Sequence, residues 1–397
     1  MTVTYRDQTF SRLLFHWKGS VWQNIWRQYI FYIIIYYAIN LSYRFAMNED
    51  QQKMFEKLVK TFEQWASGIP IQFLLGFYVS TIVSRWWQQL NSIAWPDKFL
   101  VHITSYLHGT DERRREIRRT FARYSNLLSV LVWKEISLKI KKRFPTDAHL
   151  VKAGLMTEHE HELYESTAGE YGRWFVPVSW MVNLLARCRL EGLITDRNHQ
   201  KLVDELYALR GASAMLTIYD WINVPLVYTQ VAAIATYGFF AFTLICRQTL
   251  LSDDPDIVFP VYNTLEFIFY MGWLSVGQEL RCPFGEDDED FNMNYVLDRN
   301  VHVANMLVDE LHNHDVRLCR DAFWGERNPK LPHTRASAKV KDEIPDWRYG
   351  KYKVKPHDQE IFEESDTVDM KKGKPQKNGE PAETELRNLR SDATPLV

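Results

Sequence analysis

Four stretches of the chain are apolar over most of a bilayer's thickness. The first is residues 29–45, YIFYIIIYYAINLSYRF, and the second begins at Ile69 with IPIQFLLGFYVSTIV. The third and fourth, residues 224–246 and 257–277, are long enough to cross a hydrocarbon core of about 30 Å, which needs about 20 helical residues. The first two are shorter, so each alone could also be a buried helix of a water-soluble protein. Together they predict transmembrane helices at about residues 28–46, 69–86, 223–247 and 257–278.

The segments between and after these runs have a helical pattern. Apolar residues recur at spacings of three and four in FARYSNLLSVLVWKEISLKI, in HQKLVDELYALRG and in MNYVLDRNVHVANMLVDELH. The predicted fold is therefore an all-α membrane protein, with four transmembrane helices per subunit and a cytosolic helical bundle. The core spans residues 1–340, and the bundle comprises about residues 90–220 and 290–340. Residues 341–397 have too few apolar groups to offset chain ordering and are predicted to be a polar, largely disordered tail.

The distribution of charge predicts the orientation of the spans. The segment between the second and third runs is rich in Arg and Lys, whereas the loop after the third run reads LLSDDPDI. Because positive charge stays on the cytosolic side, both termini should be cytosolic, and the loops near residues 46–68 and 247–256 should face outside. A multi-pass protein of the cell membrane is expected, with an internal membrane as the alternative. Aromatic residues near the ends of the runs suit interfacial belts, or else fill a soluble core.

Composition excludes several classes of function. The net charge of −2 argues against nucleic-acid binding, which needs uncompensated Lys and Arg. The four cysteines have no CxxC pair and are expected to be free thiols. The polar N-terminus is not followed by a small-residue cleavage site, so a secretory signal is not expected. Motifs for a nucleophile elbow, a phosphate loop or a zinc protease are missing, and HEHE at 159–162 is interpreted as a solvated polar turn. An enzyme is therefore not predicted.

A stripe of large apolar side chains follows the second run. Ile69, Phe73 and Phe77 are four residues apart, so on a helix they share one face at intervals of about 6 Å. On a single helix such a stripe is most simply a core-facing or lipid-facing surface. If several copies surround an axis, the stripe instead builds an apolar neck, whose positive aromatic edges tolerate an anion better than a cation. Hydrophobic constrictions of this kind also gate by dewetting.

A second candidate site follows the fourth run, in GQELRCPFGEDDEDFNMNY, residues 277–295. Five consecutive acids, residues 286–290, come directly after a Pro-Phe-Gly turn. Hard oxygen donors in a turn are what Ca²⁺ prefers, although the spacing is not that of an EF-hand loop. The simpler interpretation of this segment is a solvated acidic run.

Several long motifs resemble the bestrophin family. They are MTVTY and FSRLLFHWKGS at the start, then RWWQQLNSIAWPDKF, IRRTFARYSNL, YDWINVPLVYTQV, FPVYNTLEFIFYMGW and CPFGEDDEDF. The resemblance covers about residues 1–340. It implies a bestrophin-like homopentamer that conducts anions, so that the stripe of one subunit becomes a set of five-fold rings.

The resemblance also implies which residues line the pore. Ile69, Phe73 and Phe77 match the family's neck. The narrow aperture at the cytosolic exit falls at Asn198 or His199, and either residue makes this exit more polar than the usual apolar side chain.

A calcium site is implied in the same way. Asp287 and Asp290 match the acids whose carboxylates bind Ca²⁺ in the family, while Glu279 and Cys282 match positions that contribute backbone carbonyls. Glu266 departs from the family pattern, in which this residue is uncharged. An intramembrane carboxylate is costly unless it faces protein or water, so we expect Glu266 to be buried between helices.

These observations predict a calcium-activated anion channel, with Ca²⁺ as the bound ion and chloride as the permeant ion. Its predicted partners are further copies of itself and inorganic anions. One alternative is a membrane carrier, or a scaffold that regulates other channels without conducting. Another is a membrane enzyme with a metal at the acidic run, but no nucleophile or base accompanies that run.

Overall fold

The computed structural model describes residues 9–169, 172–251, 259–314, 317–340, 367–369 and 374–376. The chain divides into two compact units, Met1–Val316 and Arg317–Val397. The helices of the first unit, in chain order, are α1 (Phe10–Leu14), α2 (Val21–Leu41), α3 (Glu49–Ser67), α4 (Ile71–Asn91), α5 (Asp97–Tyr106), α6 (Glu112–Ile136), α7 (Leu138–Arg143), α8 (Asp147–Lys152), α9 (Glu158–Ser166), α10 (Val176–Leu190), α11 (Asp196–Trp221), α12 (Leu226–Cys246), α13 (Val261–Glu279) and α14 (Met293–Asn305). Turns of π-helix extend α2 over Ser42–Ala46 and α14 over Met306–Glu310.

One group of helices, called the membrane cluster here, comprises α2, α3, α4, α12 and α13. Its helices pack around buried side chains such as Leu75 and Phe240, with α13 against α2 and α4, and α12 against α3 and α4. Large apolar side chains also cover the outer faces, among them Phe31, Ile234 and Phe269. Helices that are apolar on the outside as well as the inside are typical of a membrane span.

Helices occupy all four predicted membrane positions, with somewhat different ends. By length and apolar composition alone, two helical stretches among the described residues could cross a membrane, one within Glu49–Asn91 and the other at Leu226–Cys246. The helices α2 and α13 are less apolar, because both contain tyrosines and α13 also contains polar residues such as Asn263 and Glu266. The helix α2 begins at Val21, earlier than predicted. The prediction followed the apolar run alone, whereas the helix also includes the partly polar residues 21–27.

The segment at residues 46–68, predicted as an external loop, is mostly the helix α3. Asn48 precedes it, and the Asn48 N–H donates to Oε1 of Gln51 at 3.0 Å, which closes the first turn. Phe55, Val59 and Ala66 lie on its buried side. Its many charged residues hid this apolar stripe in the sequence.

The remaining long helices of the first unit form a second group, called the cytosolic cluster after the location that the sequence predicts for it. At its centre is α6, which contacts α5, α10, α11 and α14. The second half of α6, including Leu127, Val130 and Trp133, is almost wholly buried. The Asp111 side chain caps the start of α6 by accepting a hydrogen bond from the Arg114 N–H at 3.1 Å. The structure confirms the helix that the apolar spacing of three and four predicts for this segment.

The interpretation of HEHE as a solvated turn is wrong, because these residues begin the helix α9. Thr157 and Glu160 form a capping box. Glu160 is buried, and its carboxylate accepts hydrogen bonds from Arg123 and, at 2.6 Å, from the Tyr124 hydroxyl. Arg123 and Tyr124, which lie on α6 and are remote in sequence, therefore help to stabilise a helix where the sequence suggested a turn.

The described residues of the second unit include a 3₁₀ helix, Ser337–Val340, and two short strands, β1 (Thr367–Asp369) and β2 (Lys374–Gln376). The strands pair antiparallel, with Thr367 opposite Gln376. The rest of the tail predicted at residues 341–397 lies outside the described residues, as do the acids of LLSDDPDI at residues 252–258.

Candidate functional site

The proposed neck residues lie at the start of α4. Phe73 and Phe77 share one face of this helix, are 64% and 59% exposed, and have ring centroids 4.6 Å apart. Ile69 lies in the turn before the helix and is half-buried, so the stripe does not lie on one continuous helix. The reason is local, since Pro70 precedes α4 and the Ile71 N–H donates to the Ile69 carbonyl at 2.8 Å.

The face of α4 that carries the two phenylalanines changes character along the helix. After Phe77 it presents Ser80, Thr81 and Ser84. The Thr81 hydroxyl donates to the Phe77 carbonyl at 2.9 Å and lies 3.2 Å from the hydroxyl of Tyr228 on α12. An apolar, aromatic surface is therefore followed directly by a hydroxyl-lined one.

The acidic segment after α13 is a closed turn. The Phe291 N–H donates to the Pro283 carbonyl at 2.8 Å, and Oδ2 of Asp290 accepts from the Asp287 N–H at 2.7 Å. Gly285 is required where the turn folds over this carboxylate, because a Cβ there would lie 2.7 Å from Oδ2 of Asp290. The Asp290 side chain is consequently buried, whereas that of Asp287 is exposed.

A cavity of about 240 Å³ adjoins this turn, between the end of α13 and the start of α2. The residues that line it are Gly19, Gln23, Asn24, Glu279, Glu286, Asp287, Asp288 and Glu289. Burial raises the pKa of Asp290 despite its hydrogen bond from the backbone, and burial together with the charge of Asp288 raises the pKa of Glu289. Among the described residues, five acids and no Lys or Arg line the cavity, which gives it a local excess of negative charge.

The donor chemistry of this cavity suits a hard cation such as Ca²⁺. Side chains alone do not complete a site, because no group of three or more His, Cys, Asp or Glu with a metal-binding arrangement occurs in the part of the chain that the structure describes. Backbone carbonyls, such as those of Glu279 and Cys282, would have to supply the remaining ligands. Cys282 itself is an exposed free thiol.

Both candidates for the cytosolic aperture lie in the first turn of α11. The Asn198 N–H donates to the Thr195 hydroxyl at 3.3 Å, and the His199 N–H donates to the Thr195 carbonyl at 2.8 Å. Both side chains are half-buried within one subunit. The geometry therefore leaves both residues as candidates.

A series of aromatic contacts that the sequence did not reveal joins the acidic turn to α4. Phe284 and Phe291 have ring centroids 5.4 Å apart, and Phe291 lies 5.2 Å from Trp86 of α4. A second close contact lies nearby, where a Cβ on Gly277 of α13 would be 2.5 Å from the ring of Tyr78 on α4. Movement of the acidic turn or of the end of α13 would therefore displace α4 directly.

Glu266 is only 12% exposed, as expected for a residue between helices, and it has a cationic partner. One of its oxygens lies 3.7 Å from Arg247, at the end of α12, and Arg247 also lies 3.8 Å from Glu63 of α3. Arg247 was not anticipated as this partner, because the two residues are separated by the loop between α12 and α13.

Comparison with known proteins identifies the group to which these features correspond. A family model described as "Bestrophin, RFP-TM, chloride channel" matches residues 1–310. The chain is 40% identical to Bestrophin homolog 14 of Caenorhabditis elegans, over 92% of this chain and 90% of that protein. It is 41% identical to human Bestrophin-1 over 86% of this chain but only 61% of that protein.

A solved structure has the same fold. A bacterial bestrophin homolog from Klebsiella pneumoniae matches 70% of this chain and 96% of its own, with a TM-score of 0.54 and 17% sequence identity. At this identity the likeness concerns the fold alone.

Proposed function

The chain belongs to the bestrophin family, and on that premise we propose that it is a subunit of a pentameric anion channel gated by cytosolic Ca²⁺. Chloride is the proposed permeant ion. The subunit is proposed to cross the cell membrane, or an internal membrane, four times with both termini in the cytosol. Ile69, Phe73 and Phe77 form the neck, Asn198 or His199 forms the cytosolic aperture, and Asp287 and Asp290 bind Ca²⁺ with the carbonyls of Glu279 and Cys282.

The observation that carries this proposal is the uncovered pair of rings on α4. Phe73 and Phe77 are more than half exposed on a helix whose opposite face is buried in the membrane cluster. Five such faces around an axis would bury the rings against one another and enclose a dry constriction. The ring edges present positive partial charge, which favours a partly dehydrated anion over a cation.

The acidic cavity supports calcium as the gating ion. Burial and a neighbouring acid raise the pKa of Glu289 in the cavity wall and of Asp290 in the adjoining turn. A divalent cation bound beside them would relieve this electrostatic cost. Lys18 lies 3.2 Å from Asp288, and Lys142 lies 2.5 Å from Glu286.

The aromatic contacts explain how the cavity would act on the neck. Ca²⁺ tightens the turn that holds Phe284 and Phe291, and Phe291 packs on Trp86. Because Trp86 is on the same helix as Phe77, a displacement of its ring moves the neck as a rigid-body shift of α4. Trp86 is a positioning residue in this proposal, and Trp86→Ala should leave Ca²⁺ binding intact while removing the response of anion flux to Ca²⁺.

The test is patch clamp of the expressed protein with stepped cytosolic Ca²⁺. Asp287→Ala removes a proposed ligand without emptying a core position, so it should lose the calcium-evoked anion current. Asp298→Ala is the matched control, since Asp298 is an exposed acid in the neighbouring α14 that pairs with Arg143. Unchanged calcium activation in Asp287→Ala would remove the calcium assignment.

The neck has a separate test. Phe77→Ala should widen the constriction and leave anion current flowing without Ca²⁺, whereas Phe269→Ala, at a similarly exposed ring on α13, should not. A Phe77→Ala channel that still closes without Ca²⁺ would identify the stripe as a lipid-facing surface.

Single-channel recording separates conduction from the carrier alternative. A channel gives resolved unitary current steps from purified protein in planar bilayers, and a carrier, which turns over far more slowly, does not.

A further inference from the structure

A cavity of about 770 Å³ lies where α4 meets the end of α11 and the start of α12. The α4 residues that line it come directly after the two phenylalanines on the helix, and they include Ser80, Ser84 and Arg85. It is separate from the acidic cavity, with which it shares no lining residue. Indeed, none of its lining residues is Asp or Glu.

Arg85 supplies a fixed positive charge to this cavity. Its Nη2 group donates to the carbonyls of Tyr219 and, at 2.7 Å, of Ile222, at the end of α11. Across the described part of the chain, no carboxylate lies within 4.0 Å of its guanidinium, and its Nε and Nη1 groups have no hydrogen-bond partner. The two carbonyls therefore set the direction of the side chain and leave other N–H groups for a ligand.

Neutral polar groups accompany this charge. The side chains of Ser80, Ser84 and Asn223 are exposed and line the cavity. Within the described residues, none of the three side chains makes a hydrogen bond. Hydroxyl and amide groups beside the guanidinium can therefore donate hydrogen bonds to an anion in this cavity, and no carboxylate among the described lining residues repels it.

The other walls are aromatic and apolar. Tyr219 and Tyr228 are held by their hydroxyl groups, Tyr219 on Oε1 of Gln88 at 3.0 Å and Tyr228 beside Thr81 at 3.2 Å. Val224 and Pro225 complete the apolar part of the lining. The volume is that of a site for a small organic molecule, and a bare halide would leave most of it to water.

We propose that this cavity binds a small organic carboxylate. The Nε–H and Nη1–H groups of Arg85 remain to donate to the carboxylate oxygens. The organic group of such a ligand fills the space that a halide would leave to water. The organic part of the ligand packs against Tyr219 and Tyr228.

The position of the cavity gives the ligand an effect on conduction, and this second step rests on the proposed channel function. Thr81 borders the cavity and is hydrogen-bonded to the carbonyl of Phe77. A bound carboxylate would place a fixed negative charge and an organic group immediately beyond the neck. Both lower the flux of permeant anions through it.

Binding is measured first, by saturation-transfer NMR of benzoate with the purified full chain in detergent micelles. Benzoate should bind saturably, and benzamide, its neutral analogue, should bind much more weakly. Arg85→Gln should weaken benzoate binding at least about tenfold, since it removes the positive charge and the charge-assisted N–H donors. Ser84→Ala, which removes a single neutral donor, should weaken it about threefold.

Two further variants keep the test decisive. Arg85→Lys keeps the charge and can still reach the α11 carbonyls, so it should fold. It should nevertheless weaken benzoate binding, because an ammonium group engaged with these carbonyls has fewer N–H groups left for a ligand. Arg189→Gln is the matched control, as Arg189 is an exposed arginine paired with Asp196 on the cytosolic surface. If wild-type binding survives in both Arg85 variants, or if benzamide binds as well as benzoate, the proposal is overturned.

The remaining outcomes separate this proposal from the channel assignment. Chloride that displaces benzoate at equal concentration would make the cavity a simple halide site and refute the carboxylate preference. In liposomes, benzoate on the cytosolic side should lower halide flux at least about twofold in wild type, and not in Arg85→Gln. Halide flux without benzoate binding refutes this proposal alone, whereas benzoate binding without any halide flux refutes the channel alone.

Discussion

The two helical clusters of the first unit place their polar groups in opposite ways. In the membrane cluster, hydrogen-bonding side chains lie inside, where the Tyr32 hydroxyl is 2.9 Å from the Thr243 hydroxyl and accepts from Asn263 at 2.8 Å. Rings such as Phe31 and Phe269 lie outside. Polar side chains within a helix bundle and apolar ones around it are what a lipid environment selects.

The cytosolic cluster has the reverse distribution. Leu127, Val130 and Trp133 of α6 are buried, while arginines near the start of the same helix pair with surface acids, as Arg113 does with Glu191 at 3.2 Å. Burial of apolar area is the main source of stability expected for a helical bundle in water, and this cluster has that arrangement. The two clusters belong to one compact unit. A single unit of the chain therefore contains one part with the polar distribution suited to lipid and another with the distribution suited to water.

The largest expected effect tests the apolar interior of the cytosolic cluster. Leu127→Ala removes fully buried methyl groups and should lower the free energy of unfolding by about 2–5 kcal/mol. The measurement is denaturant titration of the full chain in micelles. Leu163→Ala, at an exposed leucine of α9, should cost less than about 1 kcal/mol. Equal losses in the two variants would contradict the described burial.

The next effect tests whether the outer face of α13 contacts lipid. Phe269→Asp should destabilise the protein in bicelles by about 2.5–3.5 kcal/mol, the cost of an acidic side chain near the centre of a span. Leu163→Asp, at an exposed position of the cytosolic cluster, should change stability by about 0.5 kcal/mol or less. If both substitutions are tolerated, the face of α13 does not contact lipid.

A pH titration tests the buried ion pair of the cytosolic cluster. Burial alone would raise the pKa of Glu160, but the hydrogen bonds from Arg123 and Tyr124 outweigh it and lower the pKa to about 2. The resulting stabilisation is complete above the ordinary pKa of about 4.5 and is lost as the pH falls toward 2, by on the order of 2 kcal/mol. Glu160→Gln should flatten the dependence of unfolding on pH in that window, and Glu162→Gln, at an exposed neighbour, should not.

The smallest effect concerns the surface ion pairs of the same cluster. Glu191→Gln breaks the exposed pair with Arg113, and the free energy of unfolding should change by less than about 1 kcal/mol, with a smaller change at high salt. Denaturant titration at low and high salt measures both. A loss comparable to that of Leu127→Ala would mean that surface charge, rather than the apolar interior, stabilises this cluster.

The sequence predicted the elements whose pattern is local and missed those that depend on distant partners. Apolar length identified α12 and much of α4, and the period of three and four identified α6. The helix α3 was missed because charged residues surround its apolar positions. Glu160 was misread because its partners, Arg123 and Tyr124, lie on another helix.

The candidate site shows the same division. The sequence singled out Phe73 and Phe77, and they do share an exposed face. The turn at Ile69 was not foreseen, since the position of Pro70 allows either a first helical turn or a break before the helix. The contacts of Trp86 with Phe291 and of Arg85 with the end of α11 join segments far apart in the chain, and no local pattern encodes them.

The close approach of Gly277 to Tyr78 has a consequence for inherited variation. Every missense change at Gly277 adds at least one carbon atom where the ring leaves no space. Such a variant would wedge apart the helix that leads to the acidic turn and the helix that carries Phe77. If the proposed calcium gating holds, natural alleles at this codon should therefore change the calcium level at which the channel opens.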